Sequence, residues 1–397
     1  MYDSFEHRDT ILSYFEWPGT IARESKPPEA PALENAKIEL MAFPVPIKKF
    51  VYALADRSPL IRRELDRYRG RKIARRYAGR SETTTRAIAL QNVELTNKCP
   101  MRCVMCARTN NMKRDEGLMD FETFKTVIDQ FVAVSPEKAR TEDTWLHHFG
   151  ESLVHPEFGR LVRYAVSKGV KACMSINPIM LAPATADELL DTGISKLYIS
   201  LDGHDDESFY KIRGVKDAYV KSKANLLEFL RKKQERGLKT HIVLSMINFG
   251  MNRKSIEKQR AYWESVPGID EYLCKAFITW NGDAPDVNKL ADEPIDIDAQ
   301  RKTFPTPACN VPWETLSVTW DGEVVPCCFD YDKKYPLGNL KDATLAEIWN
   351  GERMQALRRE FMANDVQNPL CKNCTILYPP KNPLNDGDGS TSTVIAG

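Results

Sequence analysis

Cys99, Cys103 and Cys106 stand in the run Thr96-Asn-Lys-Cys-Pro-Met-Arg-Cys-Val-Met-Cys-Ala-Arg108, with C-x3-C-x2-C spacing. That spacing puts three thiolates on one tight loop. Three thiolates suit an iron–sulfur cubane, which cysteine sulfur holds and which then keeps one iron open to another donor atom. Structural zinc asks for four protein ligands, usually from two C-x2-C hooks, and this run lacks a second hook. Five more cysteines, Cys309, Cys327, Cys328, Cys371 and Cys374, gather in the C-terminal third. Between them, Leu316 to Val325 reads as a β-hairpin turning at Asp321-Gly322, which brings Cys309 toward Cys327. Cys371-x2-Cys374 follows a helix expected over Leu345 to Phe361 and completes a set of four thiolates. Four close a shell around either zinc or a cluster. Cys328 is spare and is read as packing.

The elements that must position these groups follow an alternating pattern. From Ile88 onward, strands and amphipathic helices take turns, as in an α/β domain with a parallel sheet. Strands are expected at Ile88 to Thr96, Thr144 to Phe149, Lys171 to Ile176, Lys196 to Leu201, Thr240 to Ile247 and Tyr272 to Thr279. Helices are expected at Asp120 to Phe131, after Pro156, and at Thr185 to Thr192, Lys221 to Arg236 and Ser255 to Trp263. In barrels of parallel strands, ligands gather at the carboxyl ends. There this chain places the cysteine loop, then His147-His148-Phe149-Gly150-Glu151-Ser152, Ser175-Ile-Asn177-Pro178, and Ser200-Leu-Asp202-Gly203 with Arg213 beyond. One of the two histidines is read as packing or capping a strand.

The bulk numbers bound the rest. At 397 residues the chain is long enough for one large domain and a smaller one. Lys+Arg 56 against Asp+Glu 55 gives a net charge of +1, which argues for no particular charged partner. Ten cysteines are too sparse for a disulfide scaffold, and their clustering favours metal. The charged N-terminus lacks an apolar h-region and no run approaches a membrane span, so a cytoplasmic protein is expected. Prolines 18, 27, 28, 31, 44 and 46 break up the first stretch, and a helical pattern with a basic run from Arg62 to Arg76 covers Ile47 to Tyr77. That run is read as a solvated helix face rather than a docking site, and no nucleic-acid partner is expected.

The cysteine loop and the strand-end segments together resemble the radical S-adenosylmethionine (radical-SAM) family. The resemblance implies a partial (β/α)6 TIM-like barrel. Its open iron is chelated by the amino and carboxylate groups of S-adenosylmethionine, whose one-electron cleavage yields a 5′-deoxyadenosyl radical. Met105 takes the family's hydrophobic place before the third cysteine and is implied to meet adenine. Gly150 and Glu151 match the centre of the family's Gly-Gly-Glu-Pro segment, with Phe149 and Ser152 at its flanks, and are implied to hold the methionyl amino group. Asn177 stands where relatives have Thr-Asn-Gly. Ser200 is implied to serve the ribose or carboxylate, and Arg213 to pair with the carboxylate through its planar fork.

The C-x12-G-x4-C spacing from Cys309 through Gly322 to Cys327, with Gly338-Asn-Leu340 and the terminal C-x2-C, resembles the SPASM and Twitch extensions of that family. Full SPASM domains hold two clusters on further cysteines; this chain is read as the shortened Twitch form. The resemblance thus implies one auxiliary 4Fe–4S cluster on Cys309, Cys327, Cys371 and Cys374. The expected division is residues 1–85 as a mostly helical N-terminal extension, 86–300 as the barrel, 301–378 as the auxiliary domain and 379–397 as a disordered tail.

The expected chemistry is hydrogen-atom abstraction from a small-molecule substrate, a carbohydrate or aminocyclitol, ending in dehydrogenation, dehydration or epimerisation. A fully ligated auxiliary cluster would handle one electron, and a flavodoxin or ferredoxin would supply electrons from outside. Cys274, in Tyr272-Leu-Cys-Lys275-Ala-Phe, is the candidate catalytic thiol, facing the barrel to return a hydrogen atom. Lys275 beside it either contacts substrate or snorkels outward, and Cys173 packs. The alternative is a maturase of a ribosomally made peptide, with the basic helix docking an acidic leader. A zinc-binding scaffold is the non-enzymatic alternative.

Overall fold

Runs such as Ala172-Cys-Met-Ser-Ile176 and Lys196-Leu-Tyr-Ile-Ser200 are buried over most or all of their length on both faces, the pattern of parallel strands covered on both sides. A computed structural model describes residues 79–292, 296–303, 307 and 309–377, with Ser58, Leu60, Ile61, Glu64 and Tyr77 as single positions. The chain divides into residues 1–69 with 381–393 and residues 70–380 with 394–397; the elements below belong to the second unit. Apart from those five positions, the expected basic helix and the expected tail lie outside the described residues.

Six parallel strands pair in chain order: β1 (Ala89–Val93), β2 (Thr144–Trp145), β3 (Ala172–Ile176), β4 (Lys196–Ser200), β5 (His241–Asn248) and β6 (Glu271–Ala276). Between them run α1 (Phe121–Val134), α2 (Phe158–Ser167), α3 (Pro183–Leu190), α4 (Asp206–Arg213), α5 (Tyr219–Glu235) and, after β5, α6 (Gly250–Ser265). Helix α1 starts where the Asp120 side chain accepts from Thr123 N, and it buries Phe124, Val127, Ile128 and Phe131. Each such side chain contributes about 1.5–3 kcal/mol by leaving water.

Alternation along the strands sorts their residues. Met174, Ile176, Leu197, Ile199, Ile242 and Leu244 join the core under the helices. Cys173, Tyr198 and Val243 meet Trp145 on the opposite face, inside the curved sheet.

Strand β2 is shorter than its apolar run suggests. Side chains from β1 take over the backbone beyond Trp145: Asn92 Nδ2 donates to His147 O (2.7 Å), and Phe149 N donates to Glu94 Oε1 (3.2 Å).

The hairpin at Asp321-Gly322 forms between β7 (Thr315–Val318) and β8 (Glu323–Val325), with Gly322 at φ +84°. It does not stand apart from the barrel. Strand β7 pairs in parallel with β1, and β9 (Gly338–Asn339) completes one nine-stranded sheet ordered β6-β5-β4-β3-β2-β1-β7-β8-β9. The single helix expected over Leu345 to Phe361 is two, α7 (Leu345–Trp349) and α8 (Glu352–Met362), parted at extended Gly351. Fully buried Arg358 joins the parts by donating to Pro312 O, Glu82 O, Trp349 O and Asn350 Oδ1.

Candidate active site

The cysteine loop is irregular, so other groups must take its backbone polar atoms. Arg108 Nη2 donates to Cys99 O (2.9 Å) and Met101 O (3.0 Å), and Thr109 Oγ1 donates to Cys103 O (2.8 Å). The amides of Arg102 and Val104 donate to Arg213 O and Ile212 O at the end of α4. All three cysteines are free thiols lining one cavity. Burial pushes Cys99 up to about 12, with Glu151 adding to the rise, and pushes Cys106 up to about 11, with Cys103 adding. Thiols so placed ionise when a cationic group binds them, which a cluster's iron does.

All six parallel strands, at or just past their carboxyl ends, bring side chains to the same cavity. Asn92, His147, Ser175, Ser200, Ile247 and Lys275 form a layer at the carboxyl ends. Trp145 and Tyr198, ring centroids 4.5 Å apart, fill the inside of the sheet with Cys173 and Val243. Phe277 and Trp280 wall one side, and Trp280 Nε1 donates to Met105 O (3.1 Å).

Gly150 and Glu151 sit directly against the cysteine loop. A Cβ at Gly150, whose φ is +158°, would lie 2.2 Å from Thr96 O, so this contact is open to glycine alone. It allows Glu151 N to donate to Lys98 O (2.9 Å). The buried Glu151 carboxylate accepts from Asn177 N (2.8 Å) and Leu153 N (3.3 Å). Burial outweighs both and the charge of Arg213, and the carboxyl is pushed up to about 7.

Arg213 Nη2 pairs with buried Asp202, while Nη1 donates to Cys103 Sγ at 3.5 Å. Burial opposes its charge, but Asp202 and the Cys103 sulfur more than restore it, and the guanidinium stays ionised. Its buried Nε has no hydrogen-bond partner among the described residues. Ser200 Oγ lies 3.4 Å from Ser175 Oγ. Asn177 offers Glu151 its backbone, while its own Oδ1 accepts from Ile179 N (3.1 Å).

Met105, Gly150, Glu151, Asn177, Ser200 and Arg213 therefore meet the three thiols at one cavity. Cys274 does not join them. On β6 Lys275 takes the cavity face, and Cys274 pairs in register with Met246 on the other. There Tyr272 donates to Met246 Sδ, and Arg260 of α6 acts on both Tyr272 and Cys274. The expectation that Cys274 faces the barrel is thus corrected: alternation turns Cys274 away with Met246, while Lys275, in register with cavity-lining Ile247, takes the inner face.

Four lining or supporting residues carried no assigned role in the sequence. Cys328, read as packing, lines the cavity, and its carbonyl accepts from His148 Nε2 (2.7 Å). His148 is the structural member of the histidine pair, held neutral by burial. His147 lines the cavity. Asp202 accepts from Ile247 N (2.8 Å) as well as from Arg213 and Asn252. Strand alternation was the available signal for His147; nothing local marked Cys328.

The second cysteine set also converges. Burial raises the thiol of Cys309, then Cys327 and Cys374; that of Cys371 is raised by burial, then Cys374, Cys309 and Cys327. Tyr77 binds this site, its hydroxyl donating to Cys309 O and accepting from Cys309 N (2.8 Å). Among the described residues no three His, Cys, Asp or Glu side chains are drawn together tightly enough for a single metal ion. The four thiols, half-buried and each felt by others, fit a larger sulfur-held cluster.

Residues 93–258 match the family model of the Radical SAM superfamily, and residues 309–375 match that of SPASM, an iron–sulfur cluster-binding domain. The chain is 25% identical over 316 residues to the tungsten-containing aldehyde ferredoxin oxidoreductase cofactor-modifying protein of Pyrococcus furiosus, covering 72% of this chain and 86% of that protein. It is 21% identical over 309 residues to the PqqA peptide cyclase of Gluconobacter oxydans, covering 71% and 81% respectively. Among solved structures it is similar to Streptococcus suis SuiB bound to S-adenosylmethionine, with a TM-score of 0.54, 13% identity, and coverage of 74% of this chain and 72% of that one. No helix of the described residues is long and apolar enough to cross a membrane.

Proposed function

From a chain that belongs to the radical-SAM superfamily and carries a SPASM domain, we propose an enzyme that abstracts a hydrogen atom from a small polar molecule of the carbohydrate or aminocyclitol kind. The observation that carries the reading is the convergence of three free thiols, Glu151, Ser200 and Arg213 on one cavity. When bound, the 4Fe–4S cluster and S-adenosylmethionine supply one-electron sulfonium cleavage and a radical able to take hydrogen from an unactivated C–H bond.

The protein's own residues hold and aim. Cys99, Cys103 and Cys106 are the cluster ligands, and Arg213 Nη1 donates to the middle sulfur. Glu151, already accepting two backbone N–H groups, offers its remaining lone pairs to the methionyl amino group. Arg213 and Ser200 take the carboxylate and ribose side, and Met105 takes the adenine. Phe149 and Trp280, ring centroids 4.9 Å apart, line the cavity and keep water out. Cys309, Cys327, Cys371 and Cys374 would hold an auxiliary cluster able to pass one electron, with the external supply a small electron-transfer protein.

The Pyrococcus relative's name, a cofactor-modifying protein, supports a small-molecule substrate. The Gluconobacter relative's name, a peptide cyclase, favours a second reading, a peptide maturase. The deciding experiment reconstitutes the full chain anaerobically, counts iron and assays 5′-deoxyadenosine release after reduction. About eight irons per chain are expected, falling to about four in Cys99→Ala/Cys103→Ala/Cys106→Ala, with release lost. Zinc in place of iron, or no release from the wild type, would overturn the reading. Release stimulated by a short peptide and by no sugar would select the maturase.

A further inference from the structure

Three of the four charged side chains on the cavity wall already have charged or hydrogen-bonding partners in the protein. Arg108 holds Glu116 and two loop carbonyls, Arg213 holds Asp202, and Glu151 accepts two backbone N–H groups. Lys275 is different. It is 5% exposed, lines the cavity from β6, and among the described residues has no hydrogen bond or ion pair. Its ammonium lies 5.2 Å from the centroid of the Tyr198 ring. The nearby carboxylate, Asp202, is spent on Arg213, Ile247 N and Asn252. His147, close enough for the charge of Lys275 to weigh on it, leaves Nδ1 without a hydrogen-bond partner among the described residues.

We propose that Lys275, with His147 as a second hydrogen-bonding group, anchors an anionic group of the substrate, a carboxylate or phosphate. A buried ammonium without a counter-charge is costly, and an anion entering the cavity removes that cost where a neutral hydroxyl would not. Burial and then Arg213 lower this lysine to about 8, so it still carries its charge at neutral pH. The cofactor's own carboxylate is the other anion at hand. It belongs beside Arg213, which reaches the Cys103 sulfur, whereas Lys275 stands on β6 in register with Ile247, at the end of the strand order away from the cysteine loop. The inference rests on the cavity being the substrate site of the proposed enzyme and narrows that substrate to an acid or a phosphate.

The test uses the full chain carrying its clusters and saturated with S-adenosylmethionine. Succinate, inorganic phosphate and the neutral control succinamide are titrated at constant ionic strength, with binding read by calorimetry. Succinate or phosphate is expected to bind and succinamide not. Lys275→Met and Lys275→Gln should each weaken the anion at least tenfold, and Lys275→Arg should retain most of the affinity. Unchanged anion affinity in both neutral variants, or no anion affinity in the wild type, overturns the assignment. So does a Lys275→Met protein that loses affinity for S-adenosylmethionine yet binds its decarboxylated analogue normally, because the lysine would then serve the cofactor. A wild-type preparation that releases 5′-deoxyadenosine but ignores the anions refutes this inference alone. One that releases none refutes the reading of the site itself.

Discussion

Replacing Glu151 by glutamine tests the cofactor subsite through its dependence on pH. The carboxyl is 3% exposed, and burial raises it from 4.5 to about 7 despite two backbone N–H donors. Burial pushes His147 down to about 3 and His148 to about 4, so neither changes charge between pH 6 and 7.5. In the proposed function the cofactor's amino group would donate to the ionised carboxylate. At pH 6 Glu151 is mostly protonated before binding and must lose that proton, so affinity falls as the pH falls. For a group at about 7, the factor 1 + 10^(pKa − pH) changes roughly eightfold between pH 7.5 and 6. Any proton that the cofactor itself loses affects wild type and variant alike. Glu151→Gln should therefore remove roughly eightfold of the pH dependence. At pH 7.5 it should also weaken binding by about two decades, since a lost partner in a buried polar contact costs about 3 kcal/mol. Anaerobic equilibrium dialysis of S-adenosylmethionine against the cluster-loaded protein at the two pH values measures both effects. Parallel pH dependences in wild type and variant would refute the assignment of Glu151.

Three further outcomes follow from packing and buried charge. Gly150→Ala forces a Cβ to within 2.2 Å of Thr96 O, so iron bound by the Cys99–Cys106 loop should fall, with a loss of about 1–3 kcal/mol read as a lower urea midpoint. Arg358→Met leaves the carbonyls of Pro312, Glu82 and Trp349 without this donor, and should cost about 3 kcal/mol or more; Arg358→Lys, lacking the planar fork, should not rescue the urea midpoint. Glu94 is fully buried and held by both terminal nitrogens of Arg114 (2.7 and 2.6 Å). Glu94→Gln should cost about 3–5 kcal/mol, and Glu94→Leu/Arg114→Met should recover part of that midpoint loss, because it leaves no unpaired buried charge.

Much of the fold was legible because its signals are local. The apolar runs that became β3, β4 and β5 carry their burial in consecutive residues, and helix α1 shows its buried face at Phe124, Val127, Ile128 and Phe131. The hairpin at Asp321-Gly322 was likewise readable from two residues. Where a distant side chain competes for the backbone, local reading failed. Strand β2 ends early because Asn92 and Glu94 of another element take its polar groups, and the long C-terminal helix breaks where Arg358 claims Trp349 O.

The candidate site divides in the same way. Residue type and spacing by themselves determined the two cysteine sets, the Gly150-Glu151 pair and the Ser200 segment, because a ligand loop is chemistry written in consecutive positions. Only the tertiary structure decided which neighbours turn inward. It placed Lys275 on the cavity and Cys274 behind it, brought Cys328 from the C-terminal region to the same wall, and spent Arg213 on Asp202. It also joined β7 to β1, making the hairpin part of the barrel's own sheet. Such outcomes depend on register and on burial summed over residues far apart in sequence, and no short window of the chain contains either.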